Sequence, residues 1–114
     1  AARPTGTWCA ATWRGDGHPD HEAVGRSAAA AVANTDAELL EFSVWMWHWA
    51  KPGDAAVPWH RMSTAPYDRA ATARKRRAAA AFESQFVPYE AGMDVVLPPF
   101  VLQRLFAVGE AVIR

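Results

Sequence analysis

The chain has 114 residues, of which 51% are hydrophobic and 21% are charged, a composition typical of a globular protein, and we predict a single domain over residues 1–114. Twelve basic and twelve acidic residues cancel, so no net field draws the chain to nucleic acid or to an acidic membrane. The single cysteine, Cys9, excludes an intrachain disulfide, which fits a cytoplasmic protein, and no apolar run reaches the ~20 residues of a membrane span.

The first half of the sequence predicts a strand, a helix and a second strand. Residues 6–12 form a short strand segment, and the alanine-rich residues 22–35 have high helix propensity. Residues 39–49 are rich in aromatic and aliphatic side chains, which favours a strand, and from Phe42 onward the run suits a strand covered on both faces. We therefore predict an α/β fold that contains a βαβ unit with parallel strands.

The second half predicts five further elements. In chain order these are a loop (residues 50–68), a helix (68–86), a turn (88–92), a short helix (99–107) and an edge strand (110–113). Pro99 begins the short helix because proline is favourable in a first helical turn. In the longer helix, apolar side chains recur at helical spacing and are expected to face the sheet. These side chains are Ala71, Ala78, Ala79 and Phe82.

The longer helix also carries four consecutive basic residues, 74–77, which are typical of nucleic-acid-binding patches as well as of solvated helix faces. The remaining charges do not extend this patch. We therefore predict no nucleic-acid partner.

A polar loop between the first strand and the first helix holds four side chains that can bind a metal or transfer a proton. These side chains are Asp16, His18, Asp20 and His21. Open α/β sheets place their sites in loops at the carboxyl ends of strands. A neutral imidazole is a good zinc ligand, and a carboxylate on its second nitrogen fixes the tautomer, so one histidine could bind a metal while the other moves a proton. The same residue types are common as helix caps and turn formers, and the residues alone leave both interpretations open.

Three more residues are candidates for substrate binding. His48 is predicted near the carboxyl end of the second strand, at the same edge of the sheet as His18. In the loop, Trp59 could stack on a sugar ring and Arg61 could bond to its hydroxyls, because loops at this edge often carry function. The structural alternatives are a partly buried His48 and a Trp59 that only anchors the loop.

Residues 17–31, with the sequence GHPDHEAVGRSAAAA, resemble the second motif of the zinc-dependent N-acetylglucosaminyl deacetylases, the PIG-L/LmbE-like family. Further similar segments follow in the order of that family: VWMWHW, PWHR, RKRRA, FESQ and VLPPFVL, over residues 44–49, 58–61, 74–78, 82–85 and 96–102. The similarity covers most of residues 5–114. It implies a Rossmann-like fold, of which this chain is the C-terminal half.

The resemblance also implies a division of roles. In that family, zinc is held by two residues of an early His-Pro-Asp-Asp-Glu motif and by the last histidine of the His-Pro-Asp-His motif, here His21. His18 corresponds to the catalytic histidine that polarises the amide carbonyl or protonates the leaving amine, and Asp20 to the acid that orients it. The early motif, which also supplies the general base, is absent from this sequence, and the sequence lacks an initiating methionine. We therefore expect a partial chain with little or no activity alone.

The implied function is the C-terminal part of a zinc-dependent hydrolase that removes an N-acetyl group from N-acetylglucosamine-type conjugates. Its cofactor would be Zn²⁺, and its partners the amino-sugar conjugate and either the missing N-terminal half or a second copy of the chain. The alternative is a non-catalytic interaction module that self-associates through its aromatic strand. Six tryptophans are many for half a sheet to cover, which favours a covering partner in either case.

Overall fold

A computed structural model describes residues 6–65 and 67–114, and the chain divides into two compact units. The first unit runs to residue 64 and includes residues 111–114, and the second comprises residues 65–110. In the described residues, no helix combines the length and the apolar character needed to cross a bilayer.

The sheet has four strands, in the order β1-β2-β4-β3. The strands are β1 (Trp8–Thr12), β2 (Glu38–Phe42), β3 (Met62–Ala65) and β4 (Glu110–Ile113). The β1 and β2 strands are parallel, whereas β4 runs antiparallel to β2. The predicted α/β class is confirmed, with one parallel pair in a mixed sheet. The expectation that residues 110–113 form an edge strand is wrong, because β4 lies between β2 and β3.

Helix α1 (Pro19–Val32) joins the two parallel strands, so the predicted βαβ unit is present. It begins earlier than expected because Pro19 occupies its first position and His18 caps it, accepting a hydrogen bond on Nδ1 from the Asp20 N–H at 3.3 Å. The helix packs closely on β1, since a Cβ at Gly25 would lie 2.4 Å from the Thr12 carbonyl oxygen. This close approach places the end of β1 against the middle of the helix.

The predicted strand over residues 39–49 is wrong after Phe42. Strand β2 ends there, Ser43 follows, and the short helix α2 (Met46–Trp49) begins three residues later. The backbone N–H groups of residues 44–46 donate to the carboxylate of Asp16 instead of to a neighbouring strand. As a result, His48 lies on a helix and not at the carboxyl end of a strand.

The predicted loop 50–68 contains a 3-10 turn (Trp59–Arg61) and β3, while Pro66 lies outside the described residues. The predicted helix 68–86 is two helices, α3 (Arg69–Ala80) and α4 (Glu83–Phe86). Phe82 has non-helical dihedral angles and is 60% exposed, so its predicted place against a sheet is wrong. Helix α5 (Pro99–Val108) confirms the predicted short helix.

Candidate functional site

Asp16 is the buried centre of the loop between β1 and α1. Its side chain is fully inaccessible to solvent. Oδ1 accepts the N–H groups of Val44 and Met46, both at 2.9 Å, and Oδ2 accepts that of Trp45 at 2.7 Å. A fourth bond, 2.6 Å long, joins Oδ2 to Nδ1 of His21. Both carboxylate oxygens are therefore satisfied, and the side chain ties the loop to the turn that follows β2.

The bond to Asp16 fixes the tautomer of His21. Because Oδ2 acts as an acceptor, the proton in this bond lies on His21 Nδ1, and Nε2 of the neutral ring carries the lone pair. The side chain of His21 is 26% exposed, so the ring lies at the surface of the loop and not in the packed interior. A carboxylate that orients an imidazole in this way is the arrangement found behind histidine metal ligands.

An aromatic stack brings the three predicted histidines together. The ring centroids of His18 and His21 are 4.4 Å apart, with the rings inclined by 28°. His18 also meets Trp45 edge-on, with ring centroids 5.9 Å apart. Trp45 in turn stacks on His48, with ring centroids 4.0 Å apart. His48 thus lies near the loop on α2, although the strand that was predicted to bring it there ends at Phe42.

Two glycines let the loop pass close to tryptophan rings. Gly17 has φ +82°, and a Cβ there would lie 2.8 Å from the indole nitrogen of Trp49. That nitrogen donates to the backbone carbonyl of Asp16 at 2.8 Å. A Cβ at Gly15 would lie 2.6 Å from the ring of Trp13. Side chains at either position would therefore push Asp16 away from its partners.

An ion pair between the exposed Arg14 and the buried Glu41 holds the start of the same loop. Glu41 of β2 is 1% exposed and accepts two hydrogen bonds of 2.8 Å from the Arg14 guanidinium, and a third from the Arg14 backbone N–H. The hydrogen bond to Glu41 raises the pKa of Arg14. This bidentate pair fixes the chain two residues before Asp16.

The other predicted residues have different surroundings. Asp20 is exposed and contacts His18 through its backbone N–H, whereas the carboxylate that orients a histidine is that of Asp16. The Trp59 indole donates to the Asp54 carbonyl oxygen at 2.9 Å, and the Arg61 Nε donates to the carbonyl oxygen of Arg114. These bonds anchor the 3-10 turn, and sugar binding by Trp59 and Arg61 stays a prediction.

The loop does not by itself contain a complete metal site. Among residues 6–65 and 67–114, no three His, Cys, Asp or Glu side chains are grouped so that they could hold a metal ion. A catalytic zinc site takes about three protein ligands and an open position. The residues described here therefore fit one ligand position, His21 Nε2, and do not by themselves complete a zinc site.

Sequence reasoning included Asp16 among the polar residues of the loop but did not give it its structural role. The signal was the pair of glycines around it, which indicates a loop in close contact with other atoms. The hydrogen bonds between Asp16 and residues 44–46 join segments about thirty residues apart, and no local pattern indicates them.

Comparison of the chain with models of known protein families gives no match, and comparisons with curated proteins and with solved structures give none either.

Proposed function

We propose that this chain carries the C-terminal part of the site of a zinc-dependent, Rossmann-like hydrolase that removes an N-acetyl group from N-acetylglucosamine-type conjugates. The observation that supports this proposal is the 2.6 Å bond between His21 and the fully buried Asp16. A cap or a turn former does not need a buried carboxylate behind its ring, whereas a carboxylate is one of the partners that commonly orient a metal-binding histidine. A cytoplasmic location and the absence of a nucleic-acid partner belong to the same proposal.

Two histidines of the chain would take different roles. When bound, zinc supplies the chemistry that polarises the acetyl carbonyl and activates water. His21 would provide one ligand through Nε2. His18 accepts the Asp20 N–H on Nδ1, so its neutral ring carries the N–H at Nε2, which can donate a hydrogen bond that polarises the amide carbonyl and stabilises the oxyanion. The ring contacts with His21 and Trp45 hold the plane of this N–H donor.

The remaining ligands and the general base would come from residues other than those described. In the described sheet, β1 is an edge strand, and its carboxyl end leads directly into the Asp16 loop. A further strand added parallel to β1 would end at the same edge of the sheet and bring its following residues beside His21. Trp8, which is 64% exposed on β1, would be covered by such an addition.

The proposal is tested by measuring zinc binding and acetate release with the 114-residue chain. We expect weak Zn²⁺ binding by isothermal titration calorimetry and a loss of affinity of about tenfold in the variant His21→Gln. His60→Gln, at an exposed histidine of the 3-10 turn, is the matched control and should bind as the unaltered chain does.

Acetate release from an N-acetylglucosaminyl conjugate should need an added polypeptide that supplies the early His-Pro-Asp-Asp-Glu motif, and it should be lost in His18→Gln. Equal zinc affinity of His21→Gln and the control would contradict the proposed ligand. An enzyme-like rate from the chain alone would contradict the proposal that the site is shared.

The alternative function, a self-associating interaction module, needs a different surface from the one predicted. Residues 39–49 do not form an exposed strand, because β2 is paired on both sides and Met46 and Trp47 are buried. The open edge of β1, with Trp8 exposed, is the surface that favours this alternative. Sedimentation velocity distinguishes the two: a dimer that dissociates in Trp8→Glu supports the module, and a monomer contradicts it.

A further inference from the structure

The second unit contains an apolar groove between α3 and α5. We define this α3–α5 groove by Arg76, Ala79, Leu102 and Phe106, which line its cavities. One cavity, of about 410 Å³, lies on the Arg76 side, and another, of about 300 Å³, extends past Phe82. Both are lined by Leu102 and Phe106, so these two side chains form a wall common to the two cavities. Volumes of this size suit a small ligand.

All charged side chains on the two helices are basic. They are Arg69, Arg74, Lys75, Arg76, Arg77 and Arg104. The twelve residues of α3 and the ten of α5 include no aspartate or glutamate. An apolar groove between two helices whose charges share one sign favours a ligand with an apolar body and a negative group.

Two of the basic side chains lie where such a group would bind. The Arg76 guanidinium lies 4.4 Å from the centroid of the Phe106 ring, above the wall that the cavities share. Lys75 lines the cavity of about 300 Å³, and its Nζ donates to the Tyr67 hydroxyl and, at 2.9 Å, to Glu110. An ammonium group has three N–H donors, and these two partners use two of them.

Lys75 keeps its positive charge in this setting. Burial lowers the pKa of Lys75, but the hydrogen bonds with Tyr67 and Glu110 outweigh burial, and the pKa is raised above its ordinary value. The third N–H is therefore a charged donor at the edge of an apolar cavity, which is the strong kind of partner for a carboxylate.

We propose that the α3–α5 groove binds an aliphatic carboxylate, with its hydrocarbon chain against Leu102 and Phe106 and its carboxylate at Arg76, while Lys75 adds positive charge at the second cavity. A hydrocarbon chain fits because Leu102 and Phe106 form an apolar wall common to both cavities. The groove lies wholly within residues 65–110, and Asp16 and His21 belong to the other unit, so this site is independent of the function proposed above.

The test uses decanoate, decanol and decylammonium with the full 114-residue chain, each below its critical micelle concentration. We expect saturable binding of decanoate by calorimetry, about tenfold tighter than that of decylammonium. Amide NMR shifts should change in α3 and α5 and not around residues 16–21. Tryptophan fluorescence should not respond, because all six tryptophans lie between residues 8 and 59.

Two variants locate the ligand. Ala79→Leu should fill the cavity and reduce decanoate affinity about tenfold, while Ala73→Leu, at an exposed position of the same helix, should leave it unchanged. Arg76→Gln should reduce the preference for decanoate over decylammonium. Equal unfolding temperatures of the two alanine variants exclude misfolding as the cause.

The proposal is overturned by equal affinities for decanoate and decylammonium, or by shifts confined to the first unit. It is also overturned if no saturable binding occurs, or if sedimentation shows a dimer whose interface protects α3 and α5 from hydrogen exchange. That last result would identify a second copy of the chain as the occupant of the groove.

Discussion

The substitution Asp16→Asn probes the contact on which the loop depends. An asparagine oxygen can replace Oδ1 and keep the two bonds from Val44 and Met46, but its amide group then faces the Trp45 N–H and His21 Nδ1. Two charge-assisted bonds are lost, each of about 1.5–3 kcal/mol. If His21 changes tautomer, so that its proton moves from Nδ1 to Nε2, Nδ1 can accept a hydrogen bond from the asparagine amide, which restores part of one of these bonds. We expect the free energy of unfolding of the first unit to fall by about 3 kcal/mol.

Urea denaturation followed by tryptophan fluorescence measures this change, because all six tryptophans lie in the first unit. Asp20→Asn is the matched control: this acid lies in the same segment but is exposed, and its substitution should cost at most about 0.5 kcal/mol. A second readout is the tautomer of His21 by ¹⁵N NMR in alkaline solution, which should change from Nδ1–H to Nε2–H in Asp16→Asn. Equal stabilities of the two variants, or an unchanged tautomer, would refute the reasoning.

Two further predictions concern packing and pH. Gly25→Ala should destabilise the first unit by about 1–3 kcal/mol despite its helix-favouring side chain, because the new Cβ would meet the Thr12 carbonyl oxygen at 2.4 Å; a urea midpoint equal to that of the unaltered chain would contradict this packing. In the second unit, hydrogen bonds from Tyr67 and then Lys75 lower the pKa of Glu110 from its ordinary value of 4.5. Its stabilisation is therefore present above that value and is lost as the pH falls through the lowered pKa; because the carboxylate is more than half exposed, it amounts to less than about 1 kcal/mol. Glu110→Gln should reduce the difference in unfolding temperature between neutral and acidic solution, and an unchanged difference would contradict this assignment.

Local patterns were sufficient for elements whose hydrogen bonds are local. The short strand near Trp8, the alanine-rich helix and the helix that begins at Pro99 all follow from composition, capping and proline position. The order of the strands does not, because nothing in residues 110–113 indicates that they pair between β2 and β3. Pairing partners are set by the whole sheet and not by the pattern of one strand.

The run of aromatic residues after Phe42 shows why local reasoning failed at the site. Its hydrophobicity is equally compatible with a buried strand and with a buried turn and helix. The turn and helix are favoured because Asp16, in the loop between β1 and α1, accepts hydrogen bonds from the N–H groups of residues 44–46. The histidine loop could be named as a candidate site because its residue types carry the chemistry, whereas the role of Asp16 in holding the loop is seen only in the three-dimensional structure.

The hydrogen bonds of the two stacked histidines assign opposite hydrogen-bonding character to their Nε2 atoms. His21 has its proton on Nδ1, held by a buried carboxylate, so its Nε2 is an electron-pair donor. His18 has its Nδ1 lone pair engaged by a helix N–H, so its Nε2 carries a proton. Both assignments follow from neighbouring hydrogen bonds and not from the histidines themselves. On rings whose centroids are 4.4 Å apart, such a lone pair and such an N–H donor would suit the two roles that the proposed function gives to His21 and His18.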